Sequence, residues 1–184
     1  MSSACCACEL HKGRVIPVFS KGNENVDILI CGMCPGPDEN DPKNTDEYPF
    51  VGKAGKFLDE IIEESELTLA DVYITNIVKC FVKPGIKLQT DWVESCFPYF
   101  ISEVTVVNPK VIVTLGKDSF CGLFGETEDP LGSIRKKSYD FFGSVVVPTY
   151  HPSYLLRGGR KEHKDYEKVI EDLNRARLVC KGSD

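Results

Sequence analysis

VDILICGMCPGPDENDPKNTDEYPFVGKAGKFLDEII, Val26 to Ile62, carries three kinds of structure in succession. Val26–Cys31 is a short apolar run rich in β-branched residues and bounded by Gly32, the pattern of a buried strand. A loop follows, with Gly32, Pro35, Gly36, Pro37, a cluster of acids and then Pro49-Phe50-Val51-Gly52. Beyond it Phe57, Leu58, Ile61 and Ile62 fall at helical spacing, with Asp59, Glu60, Glu63 and Glu64 on the other side. Strand, long loop and helix make the first half of a βαβ unit. In open parallel sheets the ligand site lies at the carboxyl ends of the strands. Loops longer than about 12–15 residues inside a compact domain are usually functional or disordered. This loop is therefore the first place to look for chemistry.

Working outward, 184 residues suit one domain with a proper core, and 42% hydrophobic and 27% charged residues are ordinary for a globular protein. No apolar run approaches the roughly 18 residues needed to span a bilayer. The N-terminus, MSSACCACELHKGR, lacks the apolar centre of a signal peptide. The expectation is an intracellular protein, cytoplasmic or nucleoid-associated, with no membrane partner. A net charge of −6 argues on its face against nucleic acid, but placement matters more than the sum. Acids crowd positions 38–47 and 59–66, whereas bases crowd positions 135–137 and 157–164. Nine cysteines in such a chain point to metal or reactive thiols rather than a disulfide framework.

Cys5-x-x-Cys8 has a metal-ligand spacing and needs two further ligands. Cys80, closing a strand, and Cys96, inside the next helix, are the candidates, and four thiolates suit either tetrahedral zinc or an iron–sulfur cluster. Val72–Val78 reads as a second strand interrupted by Asn76, a polar side chain at the sheet edge that the Gly32 loop also faces. Thr90–Val107 reads as a helix, with a kink or break expected at Pro98. Val111–Leu115 reads as a strand, Asp118–Phe124 as a short helix and 125–144 as loop or hairpin. Val145–Val147 is a strand running into His151, which a following proline fixes and an exposed Leu-Leu-Arg follows. Residues 162–179 form a last amphipathic helix. The order β-α-β-α-β-α-β-α implies an α/β fold, a three-layer α/β/α sandwich on a small parallel sheet of about four strands.

Several motifs stand in a fixed order: CxxC at Cys5/Cys8, Gly-x-x-Pro-Gly at Gly32–Gly36, PFVGKAG at Pro49–Gly55, Asn-x-x-Lys-Cys at Asn76–Cys80, Cys96, NPKVIVTLG at Asn108–Gly116 and HPSYLLR at His151–Arg157. Over nearly its whole length the chain resembles the uracil-DNA glycosylase superfamily, specifically its iron–sulfur branch, family 4. The resemblance implies a single domain over residues 1–184, acting as a monomer on single- or double-stranded DNA. It implies a [4Fe-4S] cluster on Cys5, Cys8, Cys80 and Cys96 that staples the N-terminus to that domain. Phe50 would stack on a flipped base, Asn76 would read its Watson–Crick edge, and His151 would bond O2 and stabilise the departing uracil anion. Gly32, Met33 and Cys34 would line the base site. Ser153, Leu155 and Arg157 would meet DNA, with Leu155 and its neighbours as a wedge into the minor groove.

The first motif departs from that branch. Family 4 usually has Gly-Glu-Ala/Gly-Pro-Gly, and here Met33 and Cys34 replace the carboxylate and its neighbour. Gly-Met-x-Pro-Gly-Pro is similar to the single-strand-selective branch, where an Asn holding the water stands at the place of Cys34. The family's second acid corresponds to Glu39, although the longer loop leaves Asp38, Asp41, Asp46 and Glu47 as alternatives. The expected activity is hydrolysis of the N-glycosidic bond of uracil in DNA, with repair as its role. The alternatives are the same chemistry on another deaminated or hypermodified pyrimidine, and a non-catalytic iron–sulfur DNA-binding module. A phosphate-binding loop is excluded, because no Gly-Lys-Ser/Thr follows Gly36.

Overall fold

The computed structural model describes residues 4–43 and 48–182. Its centre is a sheet of six strands in the order β1-β3-β2-β4-β6-β5. The strands are β1 (Lys21–Gly22), β2 (Ile28–Gly32), β3 (Val72–Asn76), β4 (Val111–Leu115), β5 (Tyr139–Phe141) and β6 (Ser144–Thr149). The inner four, β3-β2-β4-β6, are all parallel, as expected. The count of about four is corrected to six, because β1 and β5 pair antiparallel on the two edges.

Helices cover both faces. They are α1 (Lys53–Glu64), α2 (Thr90–Val107), α3 (Lys117–Phe124), α4 (Leu131–Ile134), α5 (Pro152–Arg157) and α6 (Tyr166–Lys181). Period-two alternation along the strands sorts the core into two halves. Ile28, Ile30, Ile74, Val111 and Val113 pack with Phe57, Leu58 and Ile61 of α1, Leu155 of α5 and Val169 and Leu173 of α6. Leu29, Cys31, Tyr73 and Ile112 pack with Phe100 and Val104 of α2, and Leu123 of α3 lies against them. Burial on both faces explains why β2, β3 and β4 read as continuous apolar runs.

Thr90–Val107 is helical throughout, and Pro98 does not break it. Pro98 and Glu94, the residue four earlier, are both exposed, so the bond that proline removes is lost on the water side. Between β5 and β6 the hairpin turns on Phe142 (φ 53°) and Gly143 (φ 88°). Positive φ at both central residues is the type I′ arrangement that suits the twist of the strands.

Candidate active site

Four strand ends and one loop assemble the site. Gly32 closes β2 opposite Asn76, which closes β3. Gly32 has no room for a side chain: a Cβ there would lie 2.4 Å from Asn76 Oδ1 and 2.8 Å from Phe50 Cζ. Gly116 follows β4, and a Cβ there would come within 3.3 Å of His151 Cβ, just beyond β6. The Phe50 and His151 rings stand 6.0 Å apart, tilted by 31°. Phe50, Asn76 and His151, far apart in sequence, thus share the carboxyl edge of the parallel sheet, where such folds place their ligands.

Phe50 is held in a left-handed conformation (φ 59°). For a non-glycine residue this costs about 1–3 kcal/mol and persists only where the surroundings impose it. Here they do. Gly55 in α1 packs against its carbonyl so closely that a Cβ would sit 1.7 Å from that oxygen. Lys21 Nζ also donates to the same carbonyl at 3.5 Å. Glu39, buried in the loop, accepts from Gly36 N–H at 2.9 Å and from Val51 N–H at 3.0 Å, tying the loop's start to the residue after Phe50.

Asn76 is 2% exposed, and among the described residues its Oδ1 has no hydrogen-bond partner. An unmade bond on a buried amide costs about 1–3 kcal/mol, so this oxygen is an acceptor in want of a donor.

His151 caps α5 from its N-terminal side. Its Nδ1 accepts the Ser153 N–H at 3.1 Å and lies 2.8 Å from Ser153 Oγ. A backbone N–H can only donate, so Nδ1 carries no proton and the ring's N–H is on Nε2. Burial, with the Arg157 guanidinium adding to it, pushes the imidazole down to about 4. The site therefore presents a neutral histidine with one fixed donor.

The remaining candidates are placed differently from one another. Met33 and Cys34 are half-buried and line a cavity of about 830 Å³ toward α2 and α3, which Phe50, Asn76 and His151 do not line. Burial, with Asp118 and Glu39 adding to it, pushes the Cys34 thiol up to about 11, which makes it a poor nucleophile. Asp38 and Asp41 are exposed, with Asp38 against Gly52 at the start of α1. Asp46 and Glu47 lie outside the described residues. Ser153 is directed at His151. Leu155 is a correction: it is fully buried in the core, because the first turn of α5 rotates it inward. Leu156 is half-buried and Arg157 exposed, so the outward tip of this segment is Leu156-Arg157. Much of the basic run beyond is already paired, Arg160 with Glu60 and Lys161 with Glu64.

The cysteines gather on the α2 side of β3. Cys80 and Cys96 are buried with Leu10, Val78 and Trp92, and Cys8 packs against them. Cys80 feels the charges of Cys8 and Cys5, and Cys96 those of Cys80 and Cys8, so the four share one neighbourhood. Arg14 reaches across it, donating to Cys80 Sγ at 3.1 Å and to the Cys5 carbonyl at 2.6 Å. Backbone N–H groups of Ala7 and Lys79 face Cys5 and Cys96. Among the described residues no three such ligands converge on one ion. A lone zinc would draw its sulfurs to about 2.3 Å of a single point. Four thiols in one neighbourhood make a soft donor set that fits a thiolate-bound metal centre.

Two contributors were given no role by the motifs, although Lys79 is the lysine of Asn-x-x-Lys-Cys. Lys79 buries its side chain beneath Asn76, and the signal for it was a lone lysine inside the apolar run Ile77-Val78-Lys79-Cys80. Arg14 bridges the cysteines, with no pattern in its own neighbourhood to mark it.

The profile of the uracil DNA glycosylase superfamily matches residues 19–174. A type-4 uracil-DNA glycosylase of Thermotoga maritima is 33% identical over 178 residues, covering 96% of this chain and 90% of that protein. Another from Saccharolobus solfataricus is 34% identical over 181 residues, covering 92% and 82%. With sheet order, strand-end site and cysteine set already in place, these matches establish that the chain belongs to the uracil DNA glycosylase superfamily, alongside its type-4 members.

Proposed function

We propose that this protein hydrolyses the N-glycosidic bond of uracil in DNA, leaving an abasic site for repair. One observation carries the reading: the buried, unpartnered Oδ1 of Asn76, set beside Phe50 and opposite Gly32. Uracil offers an N3–H donor beside its O4 acceptor, which a side-chain amide meets with its oxygen and its NH2. Cytosine has a lone pair at N3 and would leave the same oxygen unpaired. Sites built to bond a given donor reject the analogue lacking it by factors of about 10⁴–10⁵.

The base must leave the duplex first, at a cost of a few kcal/mol. In the pocket its face stacks on Phe50 and its Watson–Crick edge meets Asn76. As the bond from C1′ to N1 breaks, its electron pair moves into the uracil ring and negative charge grows on O2. His151 Nε2–H donates to that oxygen. Being neutral and locked by Ser153, it is a preorganised donor that stabilises developing charge without giving up its proton. The sugar becomes cationic. Glu39, the buried carboxylate of this loop, supplies the balancing negative charge while water adds at C1′, and the proton that water sheds ends on the departed uracil anion. Arg157 and Leu156, exposed and half-buried at the tip of α5, meet the backbone and groove of the DNA.

Cys5, Cys8, Cys80 and Cys96 would hold a [4Fe-4S] cluster, whose chemistry here is to cross-link the N-terminal segment to β3 and α2. We read residues 1–184 as one glycosylase domain acting as a monomer where the DNA is, in cytoplasm or nucleoid. Among the described residues no helix is long and apolar enough to cross a membrane. The test is excision from a labelled uracil-containing oligonucleotide by wild-type protein and by Asn76→Ala and His151→Ala. Abasic sites with the wild type and a loss of at least about 100-fold in each variant support the reading. Undiminished cutting by the variants refutes these roles.

A further inference from the structure

The segment from Asn76 to Cys80 joins the base-reading amide to the cysteine centre in four residues. Ile77 N–H and Val78 N–H bond the carbonyls of Gly32 and Met33 at 3.0 and 2.9 Å, so it runs on beside the first motif. Lys79 comes next and is 0% exposed. Its side chain turns back beneath β3. The ammonium donates to the Asn76 carbonyl at 2.5 Å, to Thr75 Oγ1 at 2.7 Å and to Glu103 Oε2 at 2.6 Å, which uses all three of its hydrogens. Thr75 Oγ1 also donates to Glu103 at 2.9 Å, closing the network onto α2. The main chain of Lys79 is equally engaged: its N–H faces Cys96 and its carbonyl accepts Val18 N–H at 2.7 Å.

A buried ion pair is a poor device for stability, because apolar residues of the same volume usually serve as well or better. This one does something an apolar pair cannot. The Asn76 carbonyl stands at the very end of β3, and the ammonium binds it to Glu103, two helical turns after Cys96 on α2. We infer that Lys79, anchored by Glu103, is the positioning residue for Asn76, fixing the backbone that carries the base-reading amide and linking that amide to the cysteine centre. The inference rests on Asn76 being the base reader.

It is tested with the anaerobically purified protein and the variants Lys79→Met, Asn76→Ala and both together. We expect Lys79→Met to slow single-turnover excision of uracil about 100-fold, as misplacing a binding group by about an ångström does. The loss should fall on the rate constant, with iron content, visible absorbance and affinity for an abasic-site duplex unchanged. The decisive readout is the double variant, which should be no slower than Asn76→Ala alone, since Lys79 acts through Asn76. Losses that multiply in the double variant, or undiminished excision by Lys79→Met, overturn the inference. If Lys79→Met does not fold, Glu103→Gln replaces it, keeping shape while removing the anchoring charge. Its expected loss is about 10-fold, with the same lack of additivity to Asn76→Ala, and multiplying losses again overturn the inference. A wild-type protein that binds DNA but excises no uracil would instead overturn the functional reading on which this one rests.

Discussion

The protonation of His151 can be worked through to a number. Its environment, burial first and then the Arg157 guanidinium, moves the imidazole from an ordinary 6.5 to about 4. In the unfolded chain the same ring takes up its proton near 6.5. Between those two values the unfolded state binds more protons than the folded one, so stability rises with pH across this window. The contribution is complete above 6.5, is lost as pH falls toward 4, and changes no further below. The gap corresponds to at most about 3 kcal/mol. The perturbation is His151→Gln, which cannot titrate, and the assay is denaturant unfolding of wild type and variant at pH 7 and pH 4. Subtracting the variant's change removes carboxylates and the other histidines. The wild type should lose up to about 3 kcal/mol more than the variant on acidification. Excision at saturating DNA should show no inflection near pH 6.5 from this residue, because the donor on Nε2 is the neutral form. A His151 resonance titrating near 6.5 by NMR, or equal losses in the two proteins, would refute the argument.

Other consequences follow from contacts. Gly32→Ala drives a Cβ against Asn76 Oδ1 and the Phe50 ring, so uracil excision should fall by roughly 100-fold or more while the fold, read by circular dichroism, survives. Arg135, on the loop after α4, grips the buried Asp172 of α6 through Nε and Nη2, both at 2.9 Å. Arg135→Met removes both of those bonds and leaves the buried carboxylate with Arg175 Nη2 at 3.2 Å, and should cost about 1–3 kcal/mol in denaturant unfolding. Purified without oxygen, the protein should be brown with about four irons per chain, and Cys96→Ser should lose both iron and thermal stability. A colourless, zinc-loaded protein would contradict the cluster assignment.

Wherever burial is periodic and long, the sequence already spoke for the structure. Thr90–Val107 and Val111–Leu115 end where their patterns end. The edge strands did not announce themselves: β1 has two residues, too few for any period, and β5 exists through its pairing with β6. Within the site, Gly32, Asn76 and His151 were legible as types at or just beyond strand ends, where parallel sheets place ligands, whereas Phe50, in the loop, was marked by the family resemblance. The left-handed backbone of Phe50 was not, since nothing local favours it and Gly55 imposes it from α1. Leu155 was misread for a related reason. A six-residue helix shows too little periodicity to reveal which of two adjacent leucines faces the core. Lys79 and Glu103 lie 24 residues apart, and only the packing of α2 on β3 brings their charges together.

The most direct test of the account is excision from a labelled oligonucleotide panel. It would hold uracil opposite G, opposite A and in a single strand, beside matched cytosine, hypoxanthine, thymine and other C5-substituted pyrimidines, with alkali to cleave abasic sites. The account predicts alkali-labile sites at uracil and none at cytosine, abolished by Asn76→Ala. Cutting confined to a modified pyrimidine, or binding with no cutting of any base, would contradict it.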